Sequence, residues 1–202
     1  MLLVLNIDHP QPHKIAKAAE LIRKGEILCY PTDTGYGLGC DPHQLKSVER
    51  LFRLRNRPKK KPASLLFADF KQLAQYAHIG NQGFRAAKHA LPGPYTLILQ
   101  AGKQVARKLH GKRREVGARM PDHPVVIALL EHLGMPLLNV TARDSLGSYL
   151  GDPHDIERML GKQLGAVIDG GIIPENPSTV IDMTSENAEV LRVGQGDPDA
   201  FL

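Results

Sequence analysis

The most informative stretch of the sequence is residues 30–41, which read YPTDTGYGLGCD. It follows an apolar run over residues 26–30 that predicts a β-strand. Its alternating glycines let a ligand approach the backbone closely, and Thr32, Thr34 and Tyr36 place hydroxyl groups beside that space. The spacing differs from that of a phosphate-binding Walker loop. The stretch therefore predicts either a ligand-binding turn or a glycine-rich hairpin corner without a ligand.

Outside this stretch, the hydrophobic pattern alternates between two periods. Helical spacing predicts helices over residues 13–24, 44–55, 70–77, 82–91, 124–133 and 153–160. Short apolar runs predict strands over residues 2–7, 26–30, 63–67, 95–99, 115–119, 135–140, 166–168, 178–182 and 188–193. Such alternation is typical of an α/β protein. We therefore predict a single α/β domain over residues 1–202, with a mixed, twisted sheet flanked by helices.

Size and composition are those of one globular domain. The chain has 202 residues, of which 42% are hydrophobic and 23% charged, and these values exclude a disordered, collagen-like or coiled-coil protein. It contains no Trp and only five each of Tyr and Phe. So few aromatic residues argue against a protein that stacks single-stranded bases on an aromatic sheet.

The sequence favours a cytoplasmic protein. The opening apolar run ends at Asp8, far too early for a signal peptide or a membrane span. Cys29 and Cys40 lack the spacing of a redox or metal motif, so we predict that they are reduced, structural thiols. The nine His are scattered, and we predict no protein-held metal.

Positive charge is concentrated in the first three quarters of the chain. Residues 1–150 carry 23 Lys and Arg against 11 Asp and Glu, whereas residues 151–202 carry 3 against 10. The basic residues cluster in two stretches, residues 53–61 and residues 103–114. Such clusters attract the phosphates of a nucleotide or a nucleic acid, although a solvated basic face is the alternative for each.

Several polar motifs lie where predicted strands begin or end, which is where ligands bind in open α/β sheets. These are residues 92–96 (PGPYT), 117–121 (GARMP) and 139–145 (NVTARDS), joined by residues 55–58 (RNRP) after a helix. Arginine side chains suit carboxylate and phosphate because they donate in a fork. Each motif alone is more often a plain turn, so the expectation of a site rests on their occurring together.

Taken in order, these motifs resemble those of the YrdC-like domain family. The matching segments are residues 30–41, 55–58, 92–96, 119–124, 169–171, 177–182 and 191–194, and the resemblance spans residues 13–196. The C-terminal sequence GQGD at residues 194–197 and the final Phe201 and Leu202 make the chain most similar to the YciO branch.

The resemblance implies an enzyme of the L-threonylcarbamoyladenylate synthase type. Such enzymes join L-threonine, bicarbonate and ATP into threonylcarbamoyl-AMP and diphosphate for tRNA modification, and Mg²⁺ is expected to accompany the ATP. The family pattern assigns catalysis to Arg55 and Arg57. It assigns substrate binding to Thr32, Thr34, Tyr36, Thr96, Arg119, Thr141 and Arg143. It assigns nucleotide binding to Arg57, Ser178, Thr179 and Arg192.

Two positions depart from the family pattern. Arg55 stands where the family has Lys, and Arg143 stands where it has Asn. An Arg is a wider fork than a Lys, and Arg143 adds volume and charge near the expected nucleotide. We therefore expect the synthase activity to be weak or altered.

The alternative reading is a non-catalytic or divergent paralogue that binds double-stranded RNA or tRNA through a basic concave groove. The placement of Arg57, Arg119, Arg143 and Arg192 discriminates between the two readings. If these side chains converge on one cavity, a small anion is favoured. If they are dispersed over an open face, RNA is favoured.

Overall fold

The computed structural model describes residues 1–56, 64–105, 109 and 114–201. Its helices are α1 (Pro12–Arg23), α2 (Leu45–Leu54), α3 (Phe70–Tyr76), α4 (Asn81–Ala90), α5 (Pro124–Leu133) and α6 (Pro153–Leu160). Its strands are β1 (Leu2–Val4), β2 (Leu28–Thr32), β3 (Gly35–Cys40), β4 (Ser64–Leu66), β5 (Ala77–His78), β6 (Tyr95–Ala101), β7 (Glu115–Arg119), β8 (Leu137–Thr141), β9 (Ala166–Asp169), β10 (Thr179–Asp182) and β11 (Glu189–Arg192). Short 3₁₀ helices occupy Gly161–Gln163 and Pro198–Phe201.

Within the described ranges, these strands form one mixed sheet in the order β1-β9-β2-β3-β8-β4-β7-β6-β10-β11, and β5 pairs with β6. The pairs β1–β9, β2–β9, β4–β7 and β6–β10 are parallel, and the other neighbours are antiparallel. The predicted α/β class with a mixed, twisted sheet is confirmed. Helices cover both faces of the sheet, because α1 and α5 pack in one buried cluster, and α2, α3, α4 and α6 pack in another.

The sheet is strongly curled. The ladder places Arg119 level with Leu66 and Leu137, at the edge opposite the β2–β3 turn. A flat sheet would hold Arg119 far from that turn, yet its Nη2 donates a 2.6 Å hydrogen bond to Oγ1 of Thr34 within the turn. Strand twist accumulated across β3, β8, β4 and β7 therefore brings the end of β7 back over the β2–β3 turn.

The sequence pattern predicts no strand within residues 31–41, yet most of this stretch forms β3, paired with both β2 and β8. Glycine has a low strand propensity, so the pattern gave no strand signal. Packing explains the glycines. The ring of Tyr30 occupies the space that a Cβ at Gly39 would need, and Asn139 and Tyr30 do the same at Gly37. The hydroxyl of the buried Tyr30 donates to Oδ1 of Asn139 at 3.0 Å.

The two cysteines are free and buried on either strand of this hairpin. Burial raises the pKa of both thiols, to about 12 for Cys40, so neither is a ready thiolate. Among the described residues, no helix is long and apolar enough to cross a membrane. The same part of the chain contains no group of three His, Cys, Asp or Glu side chains placed to hold a metal ion.

Candidate active site between the β2–β3 turn and the β6–β10 edge

The β2–β3 turn is locked by its own threonine hydroxyls. Oγ1 of Thr32 donates to the carbonyl of Gly35 at 2.6 Å and accepts from the backbone N–H of Thr34 at 3.2 Å. Gly35 has a φ of 119°, a conformation that favours glycine. The turn therefore holds the buried side chains of Thr32 and Thr34 in fixed positions, with Asp33 between them.

Arg119, at the end of β7, is anchored in this turn. Its Nη2 donates to Oδ1 of Asp33 at 2.9 Å and to Oγ1 of Thr34 at 2.6 Å. The ion pair is buried, since the side chains of Arg119 and Asp33 are only 9% and 8% exposed. Burial lowers the pKa of Arg119, and the charge of Asp33 opposes that effect. Within the described part of the chain, the buried Nε of Arg119 has no hydrogen-bond partner.

Asp33 is the residue that the sequence analysis missed. Besides the bond to Arg119, its Oδ2 accepts the backbone N–H of Asp122 at 3.2 Å, which joins the β2–β3 turn to the segment before α5. A signal was available, because Asp33 lies between two threonines in a buried stretch and Arg119 lies in a predicted strand. A buried carboxylate and a buried guanidinium generally need each other.

A second wall is built by the start of β6, the start of β10 and the end of β11. Oγ1 of Thr96 and Oγ of Ser178 lie 2.7 Å apart. Arg192 donates from Nε and Nη2 to the carbonyl of Ser178, at 3.1 and 2.6 Å, and from Nη2 to Oγ of Ser178 at 3.2 Å. Thr179 is fully buried and bonds the backbone of Gly194 and Gly196, so it shapes the backbone here.

We call the space between the β2–β3 turn and this second wall the hollow. Its two arginines are close enough that the charge of Arg192 lowers the pKa of Arg119. Arg119 has Asp33 as its carboxylate partner, whereas Arg192 pairs with no carboxylate among the described residues. The hollow therefore carries an excess of positive charge, with hydroxyl groups from both walls beside it.

Other predicted residues surround the neighbouring loop after β8. The hydroxyl of Tyr36 accepts the N–H of Gly170 and donates to the carbonyl of Gly171, both at 2.8 Å. Thr141 is exposed at the end of β8. Nη1 of Arg55 donates to the carbonyl of Arg143 at 3.3 Å, so these two predicted positions are adjacent.

Arg143 is engaged by the protein itself. Its Nη2 bonds Oε1 of Glu175, and its Nη1 donates to the carbonyl of Gly147 at 2.9 Å. Arg119 and Arg192 lie on either side of Thr96. The β6–β7 ladder places Thr96 beside Arg119, and Thr96 contacts Ser178, which Arg192 bonds. Arg143 turns to Glu175 instead. Arg57 lies outside the described residues, as do residues 58–61, 106–108 and 110–113 of the two basic stretches.

A separate cavity of about 610 Å³ lies between α2 and α6. Its lining includes Ile27, Leu54, Met159 and three cations, and it reaches the loop after β8 at Asp144 and Ser145. None of the predicted site residues lines it, so it is distinct from the hollow.

The mixed, curled sheet with its glycine-rich β2–β3 hairpin and the two arginines beside it defines an α/β domain. A family model named Sua5_yciO_yrdC, described as telomere recombination, matches residues 20–194. The chain belongs to this family.

The chain is 39% identical over 197 residues to a protein of Escherichia coli K12 named "Uncharacterized protein YciO", with 96% of each covered. The crystal structure of E. coli YciO superposes with a TM-score of 0.94 at 38% identity, over 100% of this chain and 99% of that one. Identity is 30% over 184 residues to a threonylcarbamoyl-AMP synthase of Vibrio vulnificus, covering 89% of this chain and 98% of that protein. A structure of Pyrococcus abyssi Sua5 complexed with L-threonine gives a TM-score of 0.89 at 31% identity, over 96% of this chain and 57% of that one.

Proposed function

We propose that the chain binds ATP and L-threonine in the hollow and forms threonylcarbamoyl-AMP from them and bicarbonate. The observation that carries this proposal is the convergence of two arginines for which the described residues supply a single carboxylate partner, Asp33. Like charges held together in a partly buried site are stabilised by an anion. A relative named threonylcarbamoyl-AMP synthase and a family structure containing L-threonine support the same ligands.

The reaction needs positive charge and hydroxyl donors in one place. The amine of threonine combines with bicarbonate to form an N–C bond and releases water, which gives the carbamate. An oxygen of the carbamate group then attacks the α-phosphorus of ATP, a new P–O bond forms, and the bond to the departing diphosphate breaks. Negative charge gathers on the α-phosphate oxygens and on the leaving diphosphate, where fixed guanidiniums act most strongly. In this proposal Arg119 and Arg192 supply those charges, and Thr96 and Ser178 supply hydroxyl groups. Mg²⁺ is expected to arrive with the ATP.

The mixed anhydride product also requires protection from water. The hollow supplies it in part, because Thr32, Thr34, Thr96 and Ser178 are all buried. Arg143 stands where the family has Asn, but it adds no free charge to the hollow. Its guanidinium is bonded to the carboxylate of Glu175 and the carbonyl of Gly147. Arg55 supports the loop after β8 through the carbonyls of Arg143 and Asp144, so we assign it a positioning role within the catalytic region.

The experiment is to incubate the protein with ATP, L-threonine and bicarbonate and to measure diphosphate and the adenylate by chromatography and mass spectrometry. We expect an adenylate whose mass contains both threonine and the carboxyl from labelled bicarbonate, and none when threonine is omitted. The Arg192→Gln variant is expected to lose most of this product. A charge-matched control is Lys24→Gln, because Lys24 is exposed and its ion pair is with the neighbouring, exposed Glu20.

A different result would favour the RNA-binding alternative. That result is no adenylate and no effect of ATP or threonine on the melting temperature, together with affinity for double-stranded RNA or tRNA that falls steeply as salt is raised. It would contradict the proposed function.

A further inference from the structure

The connection between β9 and β10, residues 170–178, crosses the curled sheet and is called the strap. Six strands separate β9 from β10 in the sheet. Seven spacings of about 4.8 Å make about 34 Å along the sheet. The ten steps from Asp169 to Thr179 span at most about 36 Å when fully extended. A strap that followed the sheet would therefore have to be almost fully extended, but Gly171 has a φ of 73°, outside the range of an extended strand. The strap therefore runs as a chord from one side of the curled sheet to the other.

Both ends of this chord are fixed to the residues around the hollow. At one end, the hydroxyl of Tyr36 bonds Gly170 and Gly171, and Gly170 packs against Pro31. At the other end, Arg192 holds the carbonyl and hydroxyl of Ser178. The strap thus joins the β2–β3 hairpin to the β6–β10 edge, across the side of the hollow.

Between its ends, the strap is fastened by the loop after β8. The hydroxyl of Tyr149 donates to the carbonyl of Ile173 at 2.9 Å and accepts the N–H of Tyr36 at 2.9 Å. The N–H of Ile173 donates to the carbonyl of Gly151 at 2.9 Å. Beyond Ile173, the one side-chain ion pair described for the strap is that between Glu175 and Arg143.

We propose that Arg143 and Glu175 are a pair of positioning residues that fasten the strap across the side of the hollow, and so control how fast a ligand enters and leaves. This inference rests on the proposed function for the identity of that ligand. It assigns Arg143 a role through the strap, whereas the family pattern places this position against the substrate. The pair suits a fastening that opens, because Arg143 and Glu175 are 31% and 32% exposed and the strap exposes residues such as Ile172, at 77%.

The first test uses the ligand-free protein. Amide hydrogen exchange is measured across residues 171–177 in the wild type, Arg143→Gln, Glu175→Gln, the double variant, and the charge-swapped Arg143→Glu/Glu175→Arg protein. A partly exposed ion pair gives an expected acceleration of about two- to fivefold in each single variant. The double variant should exchange no faster than either single variant, and the swapped pair should restore slow exchange. Glu186→Gln is the control, since it removes one exposed acidic charge outside the strap.

Unchanged exchange in both single variants would overturn the fastening role. This test contains no nucleotide, so its outcome does not depend on whether the chain is a synthase.

The second test measures ATP association and dissociation by stopped flow in the same variants. Fastening predicts that Arg143→Gln and Glu175→Gln change both rates in the same direction, upwards, and by similar factors. Direct contact between Arg143 and the ligand predicts opposite effects, because Glu175→Gln would release Arg143 to the ligand and slow dissociation while Arg143→Gln would speed it. Opposite signs would overturn the inference, and a wild type that binds no ATP would contradict the proposed function instead.

Discussion

The two sides of the hollow hold their arginines in different ways. Arg119 is buried and bonded to a carboxylate, in a turn whose threonines are tied to the backbone. Arg192 lies on an exposed strand end, and its bonds within the described part of the chain go to the carbonyl and hydroxyl of Ser178. Arg119 therefore contributes to the fold as well as to the charge of the hollow, whereas the charge of Arg192 remains available to a ligand. Substitutions on the two sides should consequently change different quantities.

The largest effect is expected on stability, from Asp33→Asn. This change leaves the guanidinium of Arg119 buried without its carboxylate, which costs about 3–5 kcal/mol of unfolding free energy for a buried pair. Chemical denaturation measures it. The matched control is Asp155→Asn, which breaks an exposed pair with Arg158 and should cost less than about 1 kcal/mol. Equal costs for the two substitutions would show that the buried pair has no special role.

On the other side, Arg192→Gln should change ligand affinity more than stability. Charge-assisted hydrogen bonds are worth about 1.5–3 kcal/mol, which corresponds to a loss of about 10- to 150-fold in ATP affinity. Isothermal titration calorimetry measures the affinity, and thermal unfolding checks that the fold is kept. A large loss of stability with unchanged affinity would remove the contrast between the two arginines.

The β2–β3 hairpin should also resist added volume. Gly39→Ala introduces a Cβ where the ring of the buried Tyr30 lies, and overpacking of this kind costs about 1–3 kcal/mol. Gly80→Ala is the control, because no atom lies within 4 Å of its added Cβ. In the Tyr30→Phe background, the cost of Gly39→Ala should be smaller, since the hydroxyl is the nearest atom. If denaturation experiments show that the stability costs of Gly39→Ala and Tyr30→Phe simply add in the double variant, the result would contradict this packing.

The smallest effect is expected at the start of α5. Burial lowers the pKa of His123, and its Nδ1 accepts the N–H of Val125 at 3.3 Å, which only the neutral ring can do. The unfolded chain therefore binds more protons than the folded one just below about pH 6.5, so stability should fall as pH is lowered through that region. His123→Asn should keep a cap and reduce this dependence. Denaturation curves at pH 7.5 and 5.5 compare the two proteins, and identical pH dependence would contradict the assignment.

Much of the fold could be predicted from the sequence, because its helices and apolar strands have clear periods. The helix Pro124–Leu133 and the strand Glu115–Arg119 were predicted with the observed bounds. β3 was missed since its glycines are required by the ring of Tyr30, a contact that no local pattern contains. β5 was missed because it has two residues.

The sequence could predict which residues form the site better than it could predict how they are arranged. The sequence identified Thr34, Arg119, Ser178 and Arg192, which the curled sheet brings to one hollow. It did not identify Asp33, whose position between two threonines was the only local signal, or Glu175, because their partners Arg119 and Arg143 lie far away along the chain. The assignment of Arg57 stays a prediction, as its position is outside the described residues.

The most direct measurement is a crystal structure of the protein grown with a non-hydrolysable ATP analogue, L-threonine and bicarbonate. We predict that phosphate or carboxylate oxygens of the ligands lie within hydrogen-bonding distance of both the Nε of Arg119 and the guanidinium of Arg192. Ligand bound only in the cavity between α2 and α6, or a hollow that stays free of ligand at saturating concentrations, would contradict this account.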